Sequence, residues 1–158
     1  MLRFKTILHP TDFSETAIQS MHLAQSLARD HGAELVVLAV GKPPTPFAAL
    51  YTPDVEMMGL IKELRLQVAS LIETINDVTV RADAVQGLPG QAIVSVADEI
   101  HADLIVMGTH GRTGLLRLMM GSVAEYVMQH AHCPVITLRP AIPRPSTEQT
   151  EKPSGCST

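Results

Sequence analysis

The feature that most constrains this chain is a run of six apolar residues with no polar interruption, Leu35-Val36-Val37-Leu38-Ala39-Val40. The run is far short of the ~20 residues that a membrane-spanning helix needs. It is also too continuous for a strand with one wet face, which alternates. Ended hard by Gly41 and the prolines at 43, 44 and 46, it reads as a strand covered on both faces, extending from about Ala33 to Val40. A second such run, Leu104-Ile105-Val106-Met107, follows Asp103.

Between and around these runs the apolar period switches to three and four. Thr6-Ile7-Leu8 predicts a first strand that stops at His9-Pro10-Thr11-Asp12. Ala17, Met21, Ala24 and Ala28 mark a helix that Asp12 or Ser14 can cap and that Gly32 ends. Met57, Leu60, Leu64, Val68, Leu71 and Ile75 predict a second helix from about Asp54 to Ile75. Val78, Val80, Ala82 and Ala84 alternate with polar residues, as a half-exposed edge strand does. Ile93, Val96, Ala97 and Ile100 mark a third helix. Gly121-Ser122 opens a fourth, reaching about Ala131, and Val135 to Leu138 is a fifth strand. Leu115 to Met120 reads as a helical turn. Strands alternating with helices predict an α/β fold with an open five-stranded parallel sheet and helices on both faces. In such a sheet the ligand crevice lies at the carboxyl ends of the strands beside the switch point.

A length of 158 residues fits one domain. Residues 1–140 form it, and the proline-, serine- and threonine-bearing segment 141–158 reads as a disordered tail. With 12 basic against 16 acidic side chains and only 3% aromatics, the chain has neither a cationic patch nor a stacking platform, so no nucleic-acid partner is expected. No membrane partner is expected either. Met1 to Lys5 leads directly into a strand without a small-residue cleavage site, so no secretory leader is expected. Cys133 and Cys156 lie in unlike surroundings, which argues against a disulfide and for a reducing compartment, the cytoplasm.

The chemistry concentrates late in the chain. Gly108-Thr109-His110-Gly111 follows a strand, and nine residues later Gly121-Ser122 starts a helix. Glycines let a backbone approach an anion, free N–H groups at a helix start point at it, and Ser122 adds a hydroxyl. The same residues also serve as an ordinary tight turn and helix start. Neither G-x-x-x-x-G-K-[ST] nor a G-x-G-x-x-G after the first strand is present, so the two best-known nucleotide loops are excluded. Asp12 closes the first strand, where its carboxylate suits ribose hydroxyls or a helix cap. Val40 and Gly41 end the second strand, where their backbone groups suit an adenine edge and Val40 suits packing on the base, or where Val40 is an ordinary buried valine at a strand end. His110 suits a phosphate or a base, and Arg112 and Arg117 are near enough in sequence to offer charge or, equally, to be solvated surface residues. His9 reads as packing or a local hydrogen bond, and the spacing of His130, His132 and Cys133 fits no zinc knuckle. No G-x-S-x-G or oriented Ser-His-Asp set is present, so the chain reads as a binding protein before an enzyme. Asp12 holding Mg²⁺ against a triphosphate would permit slow phosphoryl chemistry.

Taken together, Pro10-Thr11-Asp12-Phe13-Ser14, Gly108-x-x-Gly111, the nine-residue spacer, Gly121-Ser122 and Cys133-Pro134-Val135 resemble the universal stress protein family of the UspA-like type, in its ATP-binding branch. The resemblance covers about residues 3 to 139. It implies strand order 3-2-1-4-5, the adenine nucleotide alpha hydrolase-like arrangement, and ATP with Mg²⁺ through its phosphates as ligand. It further implies Asp12 on the ribose, Val40 against adenine, Gly108 on the ribose side, and Gly111, Gly121, Ser122 and Val123 on the phosphates. It implies a homodimer through Val135 to Leu138. The expected function is an ATP-binding stress-response or regulatory protein with a further, unknown protein partner. The alternatives are a nucleotide-independent dimeric interaction or chaperone-like protein, and a slow ATPase or autophosphorylating protein.

Overall fold

Alternating apolar faces and well-punctuated helix ends produce, among the described residues, nine elements in chain order: β1 (Thr6–Thr11), α1 (Glu15–His31), β2 (Glu34–Gly41), α2 (Asp54–Ile72), β3 (Val80–Gln86), α3 (Pro89–Glu99), β4 (Leu104–Gly108), α4 (Ser122–His130) and β5 (Val135–Leu138). They belong to a computed structural model that describes residues 3–42, 54–109 and 120–139. The segment from Pro43 to Pro53, the expected turn at Leu115, His110, Gly111, Arg112, Cys156 and the 141–158 tail lie outside the described residues. The sheet is parallel and ordered β3-β2-β1-β4-β5, as the family resemblance implies. Among the described residues no helix is long and apolar enough to cross a membrane.

Strand pleating divides the core in two. Ile7, Leu35, Val37, Leu104 and Val106 face α1 and α2, meeting Met21, Ala24, Ala28 and Val68. Leu8, Val36, Leu38, Ile105 and Met107 face α3 and α4, meeting Ile93, Val96, Ala97, Ala124 and Val127. Both runs singled out in the sequence are interior strands, buried on both faces. α1 starts at Ser14, whose Oγ accepts the Ala17 N–H at 3.2 Å, and stops at Gly32 with φ of 64°. α2 ends at Ile72, short of the expected Ile75. Ile75 leaves the helix but stays buried, its N–H donating to the Ile72 carbonyl at 2.9 Å.

The larger correction concerns β1. It does not stop at Leu8 but continues through Pro10 to Thr11, and it is the middle strand. Proline in a central strand removes a ladder donor, so its side matters. The Lys5 carbonyl accepts from Glu34 of β2 at 2.8 Å and the Thr6 carbonyl from Asp103, next to β4, at 2.9 Å. Peptide groups along β1 therefore face β2 and β4 in turn, and Pro10 faces β4. Pairing with β2 runs to Thr11↔Ala39, whereas pairing with β4 ends at Leu8↔Ile105. The proline sits where the sheet opens.

The outer strands differ in chemistry. β3 carries Arg81 and Asp83, paired with Glu34 at 3.7 Å and Arg65 at 3.1 Å. β5, Val135-Ile136-Thr137-Leu138, carries no charge. At the end of the sheet remote from Pro10, Asp103 Oδ2 accepts the Lys5 and Thr6 N–H groups at 2.7 and 3.0 Å. Those two backbone donors hold its carboxyl below the usual range.

Candidate functional site

Beyond Leu8↔Ile105 the ends of β1 and β4 border a crevice of about 500 Å³, within the usual range for a small-molecule site. Asp12, Val40, Gly108, Gly121, Ser122 and Val123 all line it. The remaining expected residues, His110, Gly111 and Arg112, lie outside the described residues.

Each lip has a local cause. After Thr11 the chain turns sharply. The Thr11 hydroxyl accepts the Phe13 N–H and Asp12 Oδ1 accepts the Ser14 N–H, both at 3.1 Å. Phe13 is held at φ of 63°, a conformation few bulky residues adopt. Ser14 therefore caps α1, while Asp12 braces the turn and lines the crevice. On β2, Leu35 donates to Thr79, just before β3, and Gly41 accepts from Gly87, just after it. The alternate residue Val40 thus turns its carbonyl toward β1, one step past the last pair, Thr11↔Ala39.

The opposite lip is built from Gly108, Thr109 and the start of α4. A Cβ on Gly108 would lie 2.9 Å from Thr16 Cγ2, so only glycine lets β4 reach the first turn of α1. We expect Gly108→Ala to cost about 2 kcal/mol. Thr16→Ser in the same chain removes the obstructing methyl and should recover most of that cost in a urea titration. The Thr109 N–H and hydroxyl both donate to the Leu138 carbonyl, at 2.7 and 3.1 Å, and the Thr109 carbonyl accepts the Gly121 N–H at 2.8 Å. This last bond ties the two ends of the glycine-rich loop together. Gly121 is the cap residue of α4 and makes no side-chain cap bond.

His9 is fully buried on the α1 face. Its Nδ1 lies 2.8 Å from the Val106 carbonyl oxygen, so Nδ1 carries the proton and donates. Its Nε2 is buried without a hydrogen-bond partner among the described residues. Burial lowers its pKa from 6.5 to about 4, against the opposing pull of the Val106 bond and the Asp12 charge. Two other clustered histidines have different partners: His130 Nδ1 meets the Tyr126 carbonyl at 2.8 Å, and His132 pairs with Asp98 at 3.0 Å.

Sequence reasoning missed three parts of the site. Leu60, Leu64 and Gln67 of α2 form a side wall, and Pro89 and Ile93 of α3 contribute to the floor. The apolar spacing of Leu60, Leu64 and Ile93 was legible, but a stripe does not announce which of its residues border a crevice. Thr109 was missed because its partner, Leu138, is 29 residues away.

Comparison with known proteins places this geometry in context. The model of the universal stress protein family matches residues 3–139. Universal stress protein MJ0531 of Methanocaldococcus jannaschii is 34% identical over 141 residues, covering 86% of this chain and 82% of that protein. The solved structure of the hypothetical protein MJ0577 superposes with a TM-score of 0.79 at 28% identity, over 89% of this chain and 99% of that one. A universal stress protein from Archaeoglobus fulgidus, solved in complex with dAMP, superposes with a TM-score of 0.58 at 26% identity, over 87% and 98% of the two chains.

Proposed function

The chain belongs to the universal stress protein family, and on that premise we propose that it is an ATP-binding regulatory protein of the stress response, acting in the cytoplasm. The observation that carries the reading is the crevice itself. Its β1 lip offers a carboxylate, Asp12, and its β4 lip offers the start of α4, with Gly121 as cap and no side chain occupying the cap bond. Asp12 accepts from the ribose hydroxyls, and Gly108 borders the sugar. Val40 packs on adenine, with its carbonyl, turned toward the β1 side, as acceptor for the base edge. Gly121, Ser122 and Val123 receive the phosphates, together with Gly111, His110 and Arg112 of the loop. The dAMP complex of the Archaeoglobus fulgidus relative supports an adenine nucleotide as the class of ligand.

Mg²⁺ fits this scheme as an ion carried by the triphosphate. Among the described residues no three His, Cys, Asp or Glu side chains converge on a metal position. A cation that retains several waters and binds mainly phosphate oxygens needs no such cage. Slow hydrolysis or autophosphorylation is secondary to binding. The uncharged strand β5, with Ile136 exposed, supports a homodimer through that edge. The domain comprises residues 1–140, with 141–158 as its tail.

Calorimetry with Mg-ATP tests the reading. We expect one site per chain, and a Kd raised about tenfold by Asp12→Ala, as the loss of charge-assisted bonds to two hydroxyls requires. Native mass spectrometry of the purified protein should show adenine nucleotide carried along. No heat at millimolar Mg-ATP, with no co-purified nucleotide, would leave the interaction-protein alternative in its place.

A further inference from the structure

We propose that His9 is a positioning residue of the crevice: its Nδ1–H replaces the peptide N–H that Pro10 lacks and so holds the end of β4 to β1 where the backbone ladder stops. The ligand-related part of this inference rests on the nucleotide reading above; the hydrogen-bond part does not.

The register defines the missing bond. In a parallel pair, a residue facing the partner strand donates to the carbonyl just before its opposite number. Leu8 is opposite Ile105, so Pro10 is opposite Met107, and an N–H at position 10 would donate to the Val106 carbonyl. The β4 side agrees. Ile105 donates outward to the Pro134 carbonyl at 3.0 Å, next to β5, so its neighbour Val106 turns toward β1. Proline cannot supply the donor. The atom found on that carbonyl is His9 Nδ1, at 2.8 Å, from the adjacent residue of the same strand.

This substitution does two things at once. It satisfies a buried carbonyl that would otherwise be unpaired. It also lets pairing stop without releasing β4, because the bond comes from the α1 face rather than from the backbone of residue 10. Gly108 lies two residues beyond Val106, and Asp12 two beyond Pro10. The imidazole thus sets the separation of the two lips. Its cost is visible in the structure: donation by Nδ1 leaves Nε2 as a bare acceptor, buried without a partner among the described residues. A leucine or valine would fill the same space without that cost, so packing alone does not account for histidine here.

The first test needs no nucleotide. Imidazole ¹⁵N spectra of the wild-type protein at pH 7 should show His9 neutral with its proton on Nδ1; a proton on Nε2 overturns the proposal. The second test compares His9→Leu, which removes the donor, with His9→Asn, which keeps an amide donor near the Nδ1 position. We expect His9→Leu to raise the Kd for Mg-ATP at least about tenfold and His9→Asn to stay within about threefold. The third adds Pro10→Ala to His9→Leu, returning a peptide N–H to the Val106 carbonyl. At least half of the lost melting temperature should come back. Equal losses in the Leu and Asn variants, or no recovery with Pro10→Ala, make the imidazole a filler and end the proposal. Should His9→Leu fail to fold, the tautomer and His9→Asn decide. A wild-type protein that binds no Mg-ATP refutes the nucleotide reading alone, since the tautomer and the melting recovery still judge the bond.

Discussion

Gly121→Val is expected to eliminate ATP binding, raising the Kd by more than about 100-fold, while leaving the protein folded. The separation of these effects follows from the backbone. Gly121 has φ of −66° and ψ of 144°, an extended conformation that valine adopts without strain. Its N–H remains on the Thr109 carbonyl at 2.8 Å and its carbonyl on the Glu125 N–H at 3.0 Å. Neither bond involves a side chain. Valine is a poorer cap residue than glycine by about 1 kcal/mol, which in a chain of this size shifts melting by roughly 2–4 °C. The added isopropyl group lies at the crevice rim, on the cap residue of the helix that is to receive the phosphates. Affinity for Mg-ATP measured by calorimetry, beside a melting curve, reads both quantities. An unchanged affinity would remove the phosphates from the α4 start.

The second large effect is a loss of stability in mild acid. His9 has a pKa of about 4 in the folded chain and 6.5 as its ordinary value. Between these limits the unfolded chain binds a proton that the folded chain refuses. The His9 contribution is therefore intact above pH 6.5, falls by as much as about 1.4 kcal/mol per pH unit as acid rises through the window, and levels off below pH 4. Asp103 and Asp77 act in a different range. Both carboxyls are held below 3.8, by backbone donors at Asp103 and chiefly by the Gln25 amide at Asp77, so their contributions are present above that value and are lost beneath it. Urea titrations at half-unit pH intervals should show the upper window in the wild type and its absence in His9→Asn. A slope that survives the substitution would assign the acid sensitivity elsewhere.

Much of this architecture was legible in the amino-acid sequence because its signals are local. The unbroken run Leu35–Val40 and the run after Asp103 became two interior strands, and the alternation from Val78 to Ala84 an edge. Ser14 and Gly32 bound α1 as their chemistry requires. The strand at the centre was the one read least well. Proline breaks a strand wherever a peptide N–H is needed, and only tertiary structure shows that on the side facing β4 the Val106 carbonyl meets His9 Nδ1 instead. Ile75 misled in the opposite direction, since a buried residue at helical spacing need not be in the helix. In the candidate site, Asp12, Val40, Gly108 and Gly121-Ser122 were found because strand ends and helix starts carry recognisable residues. Their meeting around one crevice required the strand order, which came from family resemblance and not from periodicity. The α2 wall and the Thr109–Leu138 tie depend on partners remote in sequence, and no pattern of neighbours encodes them.

The unequal margins of the sheet bear on how large an assembly can become. Arg81 and Asp83 put fixed charges along the β3 margin, which resists a stranger's backbone. Val135 to Leu138 offers no such resistance. If the proposed pairing through β5 forms, a chain with a single adhesive margin is satisfied by one neighbour, and the neighbour by it, so growth by strand addition would end at a closed pair and not propagate into a fibre.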